Sequence, residues 1–230
     1  MPEQTPQIPN GLDHVALLEK VGRMTAAQTV PLFDKNELKA VGISLNILYQ
    51  AATCHRKCHG GNHMLERLCG RAYNLGCAAF HLLMLGFYDE ALGLIRGIGE
   101  LSNIVILAAE DPQAIQEWIN ADAKTLKKKF KPADVRKLLE DRNSQLMYAT
   151  KAWYSDLSES YVHVTPRTKP NEHSGRAWVG GAFQKEGADK VFGELTTVLC
   201  NIGLVTCKWF EFDDLFAELA EDIRSIEPEI

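Results

Sequence analysis

The 230-residue chain is long enough for one well-buried core or two small ones, and its 46% apolar and 24% charged residues are ordinary for a soluble globular protein. A net charge of -5 argues against a protein that coats nucleic acid over its whole surface, although a local basic patch stays open. The start, MPEQTPQIPNGLDH, has neither a basic segment nor an apolar core, so it does not read as a signal peptide. Apolar stretches such as GCAAFHLLMLGFY carry a histidine and fall short of the ~20 residues that span a bilayer, so a cytoplasmic chain without membrane contact is expected. In that compartment its six cysteines are thiols or metal ligands rather than disulfides.

Residues 1–10, with three prolines, read as a disordered arm, and residues 11–230 as a single helical domain. A first helix covers 12–28. Asp34, with Glu37 three residues on, forms an N-cap signature that opens a helix running toward Arg56 and ending at Gly60-Gly61. A third helix spans 63–85, and Gly86 separates it from FYDEALGLIRGIGELSNIVILAAE. Asp111-Pro112 is an acidic cap with proline at the first helical position, and Pro132 opens a short helix in the same way. Further helices are expected over 144–161 and 189–226. Between them, about 165–187, lies a long irregular loop of the kind that often serves as a lid or binding loop; RAWVGGAF within it carries the alternation of a small hairpin. The expected fold is all-α: a helical bundle of about seven helices.

Charge is segregated between the basic run KTLKKKFK and the acidic C-terminal stretch EFDDLFAELAEDIRSIEPEI. These read as solvated helix faces, pairing within the fold or across a dimer, in preference to a phosphate-binding patch. The stretch TCHRKCHGGNH packs two cysteines and three histidines into eleven residues. Its Cys54 and Cys58 are one residue too far apart for a c-type haem. On a continuous helix the Cys54/Cys58 pair and the His55/His59 pair lie about 100° apart, so they share one ion only if the helix unwinds at the glycines and His63 folds back. A metal reading would take Cys54, Cys58, His59 and His63. The preferred reading is a polar helix terminus, and no cofactor is expected.

Two polar groups stand on otherwise apolar helices. Arg96, Glu100 and Asn103 share a strip of one helix, with Gly93, Gly97 and Gly99 beside them. Helix-interior glycines ask for a packing reason, and a matching small face of Ala72, Gly76 and Ala79 on the preceding helix would supply it. Tyr154, Ser158 and Tyr161 share a second face, with His163 at its end and Arg71, Asn74 and His81 as candidates to line the same space. Against this stand the bland readings: an Arg–Glu pair on a solvated edge and a histidine capping a helix end.

The segment LLMLGFYDEALGLIRGIGELSN followed by YSDLSESYVH resembles an uncharacterised all-helical bacterial protein family of unknown function, whose pattern is an Arg-x3-Glu helix and then Tyr-x3-Ser-x4-His. The resemblance falls on Arg96, Glu100, Tyr154, Ser158 and His163. A wider likeness is to the HEPN superfamily of helical nucleases of toxin and phage-defence systems, marked by Arg, four to six residues, then His; Arg56–His63 and Arg167–His173 fit that spacing, but Gly60-Gly61 and Pro170 interrupt them. The resemblance implies a helical defence- or toxin-type module acting on RNA or nucleotides. As a metal-independent ribonuclease, His163 would take the 2′-hydroxyl proton and Arg96 would neutralise the phosphate. The alternative is a non-catalytic binding or scaffold protein with Arg96, Glu100, Tyr154, Ser158 and His163 as internal polar glue. The expected partners are a second copy of the chain in a homodimer, RNA or a nucleotide, and, on the scaffold reading, another protein.

Overall fold

The computed structural model describes residues 11–60, 63–166 and 168–226; the expected arm at 1–10 lies outside them. Among the described residues there are ten α-helices and no strand: α1 Gly11–Thr29, α2 Lys35–Ala52, α3 Met64–Leu85, α4 Tyr88–Glu110, α5 Pro112–Asn120, α6 Ala123–Lys129, α7 Pro132–Asp141, α8 Lys151–Leu157, α9 Lys185–Phe210 and α10 Asp213–Ile226. The all-α class holds.

Local chemistry sets most of the starts. Asp34 accepts from the amides of Asn36 (2.7 Å) and Glu37 (3.4 Å). Asp111 accepts from Ala114 N (2.8 Å) ahead of Pro112, and Asp122 accepts from Thr125 N (2.7 Å). Gly86 closes α3 in the left-handed region (φ 79°), returning its amide to the last turn, which glycine does without steric cost.

The count of about seven helices is corrected at three places. Asp122 caps the basic run, which therefore forms its own helix α6 rather than a charged face. The expected 144–161 helix shrinks to α8 followed by a π-helical turn, Ser158–Val162. The expected 189–226 helix begins earlier and divides at Glu211, a left-handed C-cap (φ 58°) that turns Phe212 into the core. No glycine or proline marks that break. The segment read as a hairpin is irregular, with Trp178 N donating to Pro170 O at 2.9 Å.

Helix α4 lies at the centre, packed between α3 and α9; α2 packs on both of those, α10 closes over α2 and α9, and α5, α7 and α8 cover the rest of α4. Ile95, Ile98, Ile106, Leu195, Leu199 and Ile202 are fully buried in a shared core. Helices α4 and α9 are long and apolar enough, by length and composition, to cross a membrane, and most of each is buried within the bundle. The α1 helix is largely exposed; it rests on α3, with Gly22 against Leu85, and its buried Thr25 donates to Gly181 O of the long loop (3.3 Å). Among the described residues the two charged stretches do not pair with each other: α10 and the preceding Glu211 meet Lys39, Arg56 and Lys57, and Lys129 meets Glu117.

Candidate functional site

Four of the five expected residues converge, and the glycine at position 99 lets them do so. A Cβ there would sit 2.5 Å from the Trp153 ring and 3.0 Å from Ala149, so the bare backbone of α4 admits α8 at close range. The small residues of α3 serve a different contact, because Gly76 meets Leu45 of α2 and Leu199 of α9. With α8 seated on α4, Arg96 Nε donates to Ser158 Oγ (2.7 Å), and its Nη2 donates to the Tyr154 hydroxyl and pairs with Glu100 Oε1 (3.1 Å). The Arg96 guanidinium lies 4.1 Å from the Tyr154 ring centroid, and that of Arg136, from α7, lies 4.2 Å from it.

Burial raises the Glu100 carboxyl above the usual glutamate range, against the opposing pull of Arg96 and Arg136. Burial lowers Arg136 from its ordinary value, with Glu100 and Glu140 opposing the shift. His163 does not join this group. Its backbone N–H closes the π turn on Ser158 O (2.8 Å), and its side chain is exposed.

Glu100 also faces a cavity of about 330 Å³ between α3, α4 and α7, which it lines with Arg71, Asn103, Leu75, Trp118 and Phe130. Of the three α3 residues expected beside Tyr154, Ser158 and His163, Arg71 borders this cavity instead, and Arg71, Asn74 and His81 are all on exposed positions. Asn103 is 3% exposed. Its Nδ2 donates to Ala149 O (3.1 Å), which leaves the buried Oδ1 as an acceptor without a partner.

The sequence gives little sign of a second polar cluster that straps the long loop to the start of α4. Asn171, left-handed at φ 45°, accepts through Oδ1 from the amides of Tyr88 (3.0 Å) and Asp89 (3.2 Å), capping a helix 82 residues upstream of it. Asp89 accepts from Asn171 N (2.7 Å) and pairs with His173 Nε2 (2.9 Å); the His173 ring stacks on Tyr161. Gln184 Nε2 donates to Asn171 O and its Oε1 accepts from His173 N. An open cleft of about 900 Å³ borders the strap through Asp89 and Tyr161. Proline followed by asparagine in the loop, a turn-forming pair that tolerates the left-handed region, was the available signal.

The cysteine–histidine stretch begins as the end of α2, with Thr53 as its C-cap and His55 N–H closing on Gln50 O (3.0 Å), and then continues as a loop. α2 stops at Ala52, Cys54 (φ 53°) and His63 (φ 52°) both adopt left-handed backbone, and the His63 ring lies beside the two cysteines. His63 Nδ1 lies 3.6 Å from both the Cys54 and the Cys58 sulfur, and donor atoms of Cys54, Cys58, His63 and Glu66 all lie within 4.8 Å of one another. Of the four residues a metal reading names, His59 stands apart, its ring edge-on to Phe210 at 4.6 Å; the buried Glu66 of α3 takes that place. His59 contributes its backbone N–H to Glu66 Oε1 (2.8 Å).

No protein-family model, no curated protein and no solved structure matches this chain.

Proposed function

We propose that the protein binds a nucleotide, free or as part of an RNA strand, in the cavity between α3, α4 and α7. The observation that carries this reading is Asn103, a residue of the cavity lining whose buried side-chain carbonyl has no hydrogen-bond partner. Leaving such a group unpaired costs about 1–3 kcal/mol, which a ligand N–H donor would recover. The rest of the lining fits a flat heterocycle carrying phosphate. Trp118 and Phe130 offer aromatic surface, Glu100 is a second acceptor for amino or imino protons, and Arg71 stands at the cavity for an anionic group. Arg71, Arg96 and Arg136 outnumber the carboxylates Glu100 and Glu140, so the region favours a negative ligand although the whole chain is acidic.

Binding, rather than cleavage, is the activity this geometry favours. Arg96 already commits Nε to Ser158 and Nη2 to Tyr154 and Glu100, so its role is to hold α8 and Glu100 in position. His163 is the general base of the ribonuclease reading, yet its side chain is exposed and its bond to that group is a backbone one, to Ser158 O.

The test is equilibrium titration of the purified protein with the common ribonucleotides and a short single-stranded RNA, followed by Asn103→Leu and Arg71→Ala. At least one ligand should saturate the wild type, and each variant should weaken it about tenfold or more. Absence of any binding, or binding that Asn103→Leu leaves unchanged, overturns the proposal. RNA incubated with wild type and with His163→Ala should survive in both. Degradation by the wild type alone would replace binding with a His163-dependent ribonuclease.

A further inference from the structure

We propose that Cys54, Cys58, His63 and Glu66 form a tetrahedral site for a divalent zinc-type ion that clamps the α2–α3 connection. The distances on the page match what zinc requires. With Zn–S near 2.3 Å and Zn–N near 2.0–2.1 Å, a tetrahedral ion sets sulfur and nitrogen about 3.6 Å apart. His63 Nδ1 is 3.6 Å from each of the two sulfurs. The nearer measured separation to the carboxylate, His63 Nδ1 to Glu66 Oε1, is 3.9 Å, against about 3.4 Å in the same geometry, a gap that a small carboxylate rotation closes.

The surrounding chain is arranged as an outer shell. Gly60 N–H points at Cys58 Sγ (3.4 Å), an interaction that stabilises a thiolate, and His59 N–H fixes the Glu66 carboxylate. Glu66 is 3% exposed and carries a charge that wants compensation at that depth. Between the two cysteines the loop is tied by Arg56–Asp214 and Lys57–Glu211, so this part of its backbone is held to the α9–α10 junction. Four protein donors leave no open position, which is the pattern of a structural rather than a catalytic ion. Binding releases the two thiol protons and leaves a complex of charge -1, two thiolates and a carboxylate against the dication.

This site is independent of the nucleotide reading, being built from the α2–α3 loop and the start of α3 rather than from the α4 cavity. The experiment purifies the protein under reducing conditions, measures bound metal by elemental analysis and titrates the metal-free form with Co2+ and then Zn2+. About one zinc per chain is expected, together with the visible bands of tetrahedral cobalt and a thiolate-to-cobalt charge-transfer band that zinc abolishes. Cys58→Ser should weaken zinc by more than about tenfold, while His59→Ala should stay close to wild type. Because a loop variant can fail to fold, X-ray absorption on the wild-type zinc form gives a second measurement, with two sulfur and two lighter scatterers expected around the ion. Sub-stoichiometric zinc with octahedral cobalt, an all-oxygen/nitrogen or four-sulfur shell, equal loss in His59→Ala, or a Cys54–Cys58 disulfide that persists under reduction would overturn the site.

Discussion

Glu100 shows how one side chain serves two environments: it completes the Arg96 network on one side and lines the cavity on the other. Its carboxyl is raised above 4.5, chiefly by burial, so ionising it opposes folding. The sign is therefore fixed. The cost is absent below pH 4.5, grows through the interval up to the raised value and is fully present above it. The groups facing it are Arg96 on its own helix, Arg136 on α7, Arg71 on α3 and Tyr154 on α8; arginine and tyrosine do not titrate there. Urea unfolding of the wild type and of Glu100→Gln between pH 7 and 4 should show the wild type gaining on the variant as the pH falls. A pH-independent difference would show that burial of Glu100 exerts no such pressure. The sequence grouped Arg96, Glu100 and Asn103 correctly because 100° per residue places them on one strip. It could not supply Arg136, which comes from another helix and reaches the same tyrosine only in the folded chain.

At the scale of elements, starts were more legible than ends. Asp34, Asp111-Pro112 and Lys131-Pro132 each open a helix where the capping rules place it, since a start is decided by a few adjacent residues. The division of the last long helix was hidden, because Glu211 carries it in a backbone region that side-chain-bearing residues avoid. What holds it there is tertiary: Phe212 is 2% exposed, and the turn lets α10 fold back over α2 and α9. Glu211→Gly should therefore stabilise the protein by about 1 kcal/mol, relief of left-handed strain outweighing the exposed Lys57 pair, which is worth little. A rise in the denaturant midpoint without a change in slope is the expected signature, and a fall would mean that the ion pair dominates. The cysteine–histidine stretch failed in the same way. A continuous helix was assumed through Arg56, whereas α2 ends at Ala52, and the argument that its cysteines and histidines diverge lost its premise.

Over the whole molecule, the apolar periodicity of α2, α3, α4 and α9 was enough to fix the class and the core helices, as those are long and strongly patterned. The core has a chemical readout in its cysteines. Burial pushes the Cys69 and Cys207 thiols up to about 12 and Cys200 to about 11, whereas Cys58 is exposed. In metal-free native protein, alkylation followed by peptide mass spectrometry should modify Cys58 early and spare Cys69, Cys200 and Cys207 until denaturant unfolds the bundle. Early modification of Cys207 would be inconsistent with a closed α9–α10 junction. The least legible feature was the strap, because hydrogen bonds between residues 82 and 83 apart leave no local pattern. That same distance bears on the order of folding. The starts of α2, α5, α6 and α8 are capped by a neighbour within nanoseconds to microseconds of chain motion, but the first amides of α4 find their acceptor only after the chain has closed a loop of some eighty residues. The central helix can thus form its middle early while its leading turn waits for Asn171. Pulsed hydrogen exchange during refolding would see Tyr88 and Asp89 protected later than the amides of Ile98 and Ile106 in the same helix.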